Sequence, residues 1–201
     1  MQLLFRLHAL MGLPRFWLSQ PAGFSPELLK RLNEVWEQAK AFAEVWDAHK
    51  AGKAEEPAYY PQMEAMVPVV KGEAKLLIEV NSASDILSAI TWCEDKGVDA
   101  IFTGVAEGWR VAEKLAESKI PVITGPMLQT PRRSSDRYDK AYANPGIMQK
   151  AGVKVAIRSD DSENVRNLPF NAGFAAAYGM GTDEALKAVT IIPAEIFGVS
   201  E

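Results

Sequence analysis

Histidine and cysteine are scarce in this chain: two histidines, His8 and His49, and one cysteine, Cys93. Neither histidine lies near the end of a predicted strand. The chain by itself therefore cannot assemble a multi-histidine zinc site, in which three or four N or S ligands converge. A lone cysteine excludes an intrachain disulfide. Cys93 falls among Ile90, Trp92 and Val98 on a predicted helix, the setting of a buried, inert thiol. Basic runs are missing as well: Arg132-Arg133 is the only pair of adjacent arginines and the net charge is -4. That balance argues against nucleic acid as a partner. Residues 1–18 are apolar, but Arg6, His8, Arg15 and the Gly12-Leu13-Pro14 break interrupt them, and no basic start precedes them. They suit neither a signal peptide nor the ~18 apolar residues of a membrane span. The expectation is a cytoplasmic protein without a membrane partner, whose first residues are ordered by packing on something else.

What is present is enough for a full core: 201 residues, 48% of them hydrophobic and 24% charged. Ser25 as N-cap, Pro26 at the first helical position and Glu27 at the positive end of the dipole predict a helix. Leu28, Leu32, Val35, Trp36, Ala39, Phe42, Ala43 and Trp46 continue it as one apolar stripe to about His49. A charged linker leads to a second helix over about 61–67. Residues 1–70 are read as an N-terminal helical segment packed on the domain that follows, 71–201.

From Lys75 the rhythm changes to short apolar runs, 76–80, 100–104, 120–124 and 153–158, separated by helical stretches and by a long polar loop, 125–140. Ser84 and Asp85 offer caps for the helix after the first run. Near-continuous apolar strands alternating with helices predict parallel β/α units. The predicted fold class is α/β, four units forming half of a (β/α)8 barrel. A doubly wound open sheet is the competing architecture, disfavoured because no glycine fingerprint follows the first strand.

Five segments in this order and spacing, IEVNSASDI (78–86), GWRVA (108–112), IPVITGP (120–126), GVKVAIRSDD (152–161) and TIIPAEIFG (190–198), resemble the amidohydrolase superfamily and its imidazolonepropionase-like branch. The resemblance implies strands five to eight of the barrel, with active-site residues at their C-terminal ends. It also implies a metal-dependent hydrolase of C–N bonds in cyclic amides. The family's first-strand His-x-His motif has no counterpart here. Its fifth-strand histidine corresponds to Glu79, a second histidine two residues on to Asn81, and the sixth-strand histidine to Gly104. Only the eighth-strand aspartate, Asp160, matches. A flanking β-sandwich would resume about where the chain stops.

Asp160 at a strand end is placed for general-base work on a metal-bound water, or, more plainly, for a helix cap or an ion pair with Arg158 or Arg166. It is the candidate catalytic residue. Glu79, Asn81, Gly104, Arg132, Arg133 and Asp161 are the candidate substrate-binding residues. Arg132 and Arg133 suit a bidentate carboxylate or phosphate contact as well as they suit solvated loop charges, and the Asp160–Glu163 acids suit pairing with them across the mouth. No resident metal is expected, and a divalent ion only where another chain completes Glu79 and Asp160. The expected function is that of an amidohydrolase-like protein, incomplete or inactive as this chain alone. A self-associating binding or structural protein, or one subunit of a split hydrolase, is the alternative. Four strands of a closed barrel leave open edges and an apolar inner face, so a homodimer or a partner chain completing the barrel is expected, with a small molecule as ligand.

Overall fold

The four apolar runs that begin at Leu76 form parallel strands, and two further strands precede them. The computed structural model describes residues 4–7, 16–19, 26–131, 133–160 and 162–200. The chain opens with β1 (Leu4–Leu7) and β2 (Phe16–Ser19), then α1 (Pro26–Lys50) and α2 (Pro61–Val70). The units β3 (Leu76–Val80), α3 (Ala83–Lys96), β4 (Ala100–Gly104), α4 (Ala112–Ser118), β5 (Val122–Thr124), α5 (Lys140–Lys150) and β6 (Val155–Ile157) follow. Helices α6 (Leu168–Ala175), α7 (Thr182–Val189) and α8 (Ile191–Phe197) end it. One sheet runs β1-β2-β3-β4-β5-β6. β1 is antiparallel to β2, and every other neighbouring pair is parallel. Strands β3–β6 and their helices make half of a (β/α)8 barrel, with β2 added in parallel at its edge.

The N-terminal segment, read from the sequence as helical, holds two helices and also two short strands. β2 pairs with β3, Phe16 opposite Leu76 and Leu18 opposite Ile78, before the chain enters α1. The physical reason is the edge of β3: its backbone N–H and C=O groups need partners, and a short apolar run supplies them as well as a helix face would supply packing. The expected Ser25 cap lies outside the described residues. Of the two serines that suit a cap before α3, Ser82 and Ser84, Ser82 is its N-cap, accepting the Asp85 N–H at 3.1 Å, and Gly97 closes it at φ 66°.

The outer face of the sheet presents Leu76, Ile78, Val80, Phe102, Val122 and Val155 to α1–α5. Leu32, Trp36, Ala39, Met63 and Met66 from α1 and α2 enter that same core, together with Ile86 and Ile90 of α3, Leu115 of α4 and Met148 of α5. Trp36 is buried and meets Trp92 edge-to-face, ring centroids 5.6 Å apart. The opposite, inner face carries Leu77, Ile101, Ile123 and Ala156, the alternate positions of the same strands. These pack with Ile192, Ile196 and Phe197 of α8. The apolar inner face that sequence reasoning leaves open is thus covered by the chain's own last helix. No helix among the described residues is long and apolar enough to cross a membrane.

Cys93 sits in the outer core, and burial pushes its thiol up from 9.0 to about 12. Native protein is therefore expected to resist maleimide labelling at pH 8 and to label fully in denaturant, the thiolate being the nucleophile. Because the folded value lies above the unfolded one, stability is unaffected below about pH 9. It falls as pH rises from there toward 12. Denaturant midpoints measured across that range, beside a Cys93→Ala control, check the sign; rapid native labelling at pH 8 would show the thiol to be accessible.

Candidate functional site at the strand ends

The C-terminal ends of β3, β4, β5 and β6 open on a cavity of about 230 Å³. Glu79, Asn81, Gly104, Glu107, Trp109, Lys140, Asn144, Arg158 and Asp160 are on its wall, with Gln129–Pro131 of the β5–α5 loop. Strand alternation puts these groups there. Glu79 lies two residues beyond Leu77, Thr103 two beyond Ile101 and Arg158 two beyond Ala156, so the inner face is apolar at its floor and polar at its mouth.

Arg158 is the centre of that polar layer. Its Nη2 is 2.8 Å from Asp160 Oδ1 and 3.7 Å from Glu79 Oε1, and its Nη1 donates to the Thr103 hydroxyl. Asp160 has φ 59°, in the left-handed region that aspartate and asparagine tolerate better than most side chains. Gly104 also has positive φ, 85°, and a Cβ there would come 2.6 Å from Asn81 Oδ1. A side chain at this strand end would be strained by that φ and would need the Asn81 amide to move aside.

A second charged group closes the rim. Glu107 is 3% exposed and accepts Arg133 Nε at 2.7 Å, Arg133 Nη2 at 2.9 Å and the Ala83 N–H at the start of α3 at 3.0 Å. Burial pushes its carboxyl up. The Arg133 fork, the Ala83 N–H and the charges of Arg133 and Arg110 outweigh that and hold it below the ordinary value. This bidentate pair ties the β5–α5 loop to the barrel mouth, and a second tie joins Arg110 to Asp136. Lys140 points its ammonium at the Trp109 ring, 4.7 Å from the centroid. Beneath them Asn144 is buried. Its Oδ1 accepts the Trp109 N–H at 2.8 Å, and its Nδ2 donates to the Val105 carbonyl at 2.9 Å and to Thr124 Oγ1 at 3.3 Å. Val105 holds φ 50°, a costly conformation for a β-branched residue, fixed by this bond and by its own N–H to Val80 O at 2.7 Å.

Of the candidates read from the sequence, Glu79, Asn81, Gly104 and Asp160 come together on the cavity wall. Arg133 does not; it is exposed and spends its fork on Glu107 rather than on a ligand or on the acids after β6. Arg132 and Asp161 lie outside the described residues. Arg158, weighed earlier only as an ion-pair partner for Asp160, is the hub. Glu107, Asn144, Trp109 and Lys140 were not singled out. The one signal for Glu107 was its place just after a strand end, where barrel sites are built.

A search of solved structures finds an amidohydrolase from Thermotoga maritima MSB8 with a TM-score of 0.79, at 21% identity. The likeness covers 94% of this chain and 52% of that one. The two share a fold over that length. The chain spans about half the length of the structure it matches. No family model matches it, and no curated protein does. Where the resemblance read from the sequence implies a divalent metal, the residues on the cavity wall do not make a ligand set for one. Gly104 has no ligand to give, and Glu79 and Asp160 face a guanidinium. No group of three or more His, Cys, Asp or Glu among the described residues is arranged to hold an ion.

Asp160→Asn is expected to leave the fold intact and to cost no more than the ~0.5–3 kcal/mol of ordinary substitutions. Asparagine tolerates the left-handed backbone and still accepts from Arg158. A urea melt checks this, and failure to fold would make Asp160 a structural anchor.

Proposed function

We propose that this chain is an amidohydrolase-like half-barrel, related to the imidazolonepropionase-like hydrolases of cyclic amides, whose mouth binds a small polar molecule without hydrolysing it. The carrying observation is the placement of Arg158 between Glu79 and Asp160, which commits the candidate base and its neighbouring acid to an ion pair. A base so paired is poorly placed to take a proton from water. Binding capacity is supported by what else lines the cavity: the Asn81 amide, the Lys140 ammonium and the Trp109 ring supply donors, acceptors and a flat face. The test is a panel of five- and six-membered cyclic amides, with and without Zn²⁺. No turnover above the solution rate is expected, together with a rise in melting temperature for a subset of the panel. Turnover by the isolated chain would overturn the reading.

The free edge of β6 favours a second reading alongside this one. Among the described residues β6 has a neighbour on one side only, and Phe170 and Phe174 on the following helix are exposed. Unpaired strand backbone beside exposed aromatic surface favours association. A second copy of the chain pairing there is the proposed partner. Light scattering at micromolar concentration is expected to give a dimer, and a monodisperse monomer rejects the pairing.

A further inference from the structure

Arg158 reaches from the end of β6 across the inner face of the sheet as far as β3, and its side chain is 17% exposed. Around its guanidinium stand the carboxylates of Glu79 and Asp160, the Thr103 hydroxyl, and the Gly125 carbonyl at 3.4 Å from Nε. Two carboxylates, a hydroxyl and a backbone carbonyl, drawn from four successive strand ends, are the donor chemistry of a hard-cation site. Here a guanidinium lies in the middle of it, planar and positively charged.

We propose that Arg158 is the built-in cation of this site: it supplies to Glu79 and Asp160 the positive charge that a divalent ion would otherwise supply, and it keeps such an ion out of the mouth. Like charges a few ångströms apart in a half-buried site repel strongly, so a divalent ion and the guanidinium exclude each other. Removal of the guanidinium takes away the positive charge that both carboxylates share beside two neutral oxygens, and opens the room that a divalent cation needs. This goes beyond the small-ligand reading and stands on ion binding alone, so a ligand panel that finds nothing leaves it untouched.

Mn²⁺ is the probe, titrated by calorimetry and electron paramagnetic resonance into full-length wild type, Arg158→Gln and Arg158→Gln/Asp160→Asn. Wild type is expected to show no saturable uptake at millimolar metal. R158Q is expected to bind one ion at least about tenfold more tightly and to melt at a higher temperature with Mn²⁺ present. The added D160N change removes that gain, and Arg158→Lys, which keeps a cation, excludes Mn²⁺ as wild type does. If R158Q does not fold in buffer alone, its refolding in Mn²⁺ against K⁺ is read instead, and recovery with Mn²⁺ only is expected. Wild type binding Mn²⁺ as tightly as R158Q, no gain or no recovery in R158Q, or a gain that survives D160N would each overturn the assignment.

Discussion

Asn144→Ala is expected to destabilise the protein by roughly 2–4 kcal/mol, a large part of the ~5–15 kcal/mol that holds a typical domain folded. The Asn144 amide is 2% exposed and serves three groups at once: the Trp109 N–H, the Val105 carbonyl and Thr124 Oγ1. Alanine leaves the Trp109 N–H facing a buried void, at about 1–3 kcal/mol for an unsatisfied group, takes one of two donors from the Val105 carbonyl, which keeps the Gly108 N–H at 3.1 Å, and adds a small cavity. The loss is larger than for an ordinary buried asparagine because Val105 is held at φ 50° partly by the bond that disappears. Asn144→Asp keeps an acceptor for Trp109 but turns an oxygen toward the Val105 carbonyl, so it is expected to rescue little. Urea denaturation of both variants is the measurement. A loss below about 1 kcal/mol for alanine would show that the mouth relaxes freely and that Asn144 does not organise it.

Trp36→Ala is expected to cost ~3–5 kcal/mol. Trp36 is 3% exposed, in the seam where α1 joins the outer core, with its ring against Trp92. Its indole Nε1 is buried and finds no hydrogen-bond partner among the described residues, whereas Trp92 Nε1 donates to Asn33 Oδ1 at 3.1 Å. Trp36→Phe therefore removes an unsatisfied donor while keeping most of the apolar volume, and is expected to cost less than ~1.5 kcal/mol. The contrast between the two variants, read from chemical melts, separates packing from polarity. A near-zero effect of alanine would mean that α1 is an arm rather than part of the core, and the seam described above would be wrong.

These two residues also show how unevenly the chain could be read in advance. Trp36 was legible: it belongs to an apolar stripe at helical spacing, and such a stripe must be buried against something. Asn144 carries no such mark. Nothing local marks an asparagine as the partner of a carbonyl on another unit, because that partnership exists only after β4, β5 and α5 have packed. The same holds for Glu107, whose partners Ala83 and Arg133 lie on either side of it in sequence and meet it only at the barrel mouth.

The strands β3 to β6 and their helices were determined by the sequence itself. Apolar runs, a capping serine and closing glycines act within a few residues, and their signal does not depend on what lies elsewhere in the chain. Glu79 and Asp160 were placed at strand ends on the same grounds. Only the tertiary structure decided that β2 extends the sheet beside β3, that α8 covers the inner face, and that Arg158 stands between Glu79 and Asp160. Each of these is a pairing between distant segments. Which side chains meet is set by strand register and stagger, and a shift of one residue would turn Arg158 from the inner face to the outer.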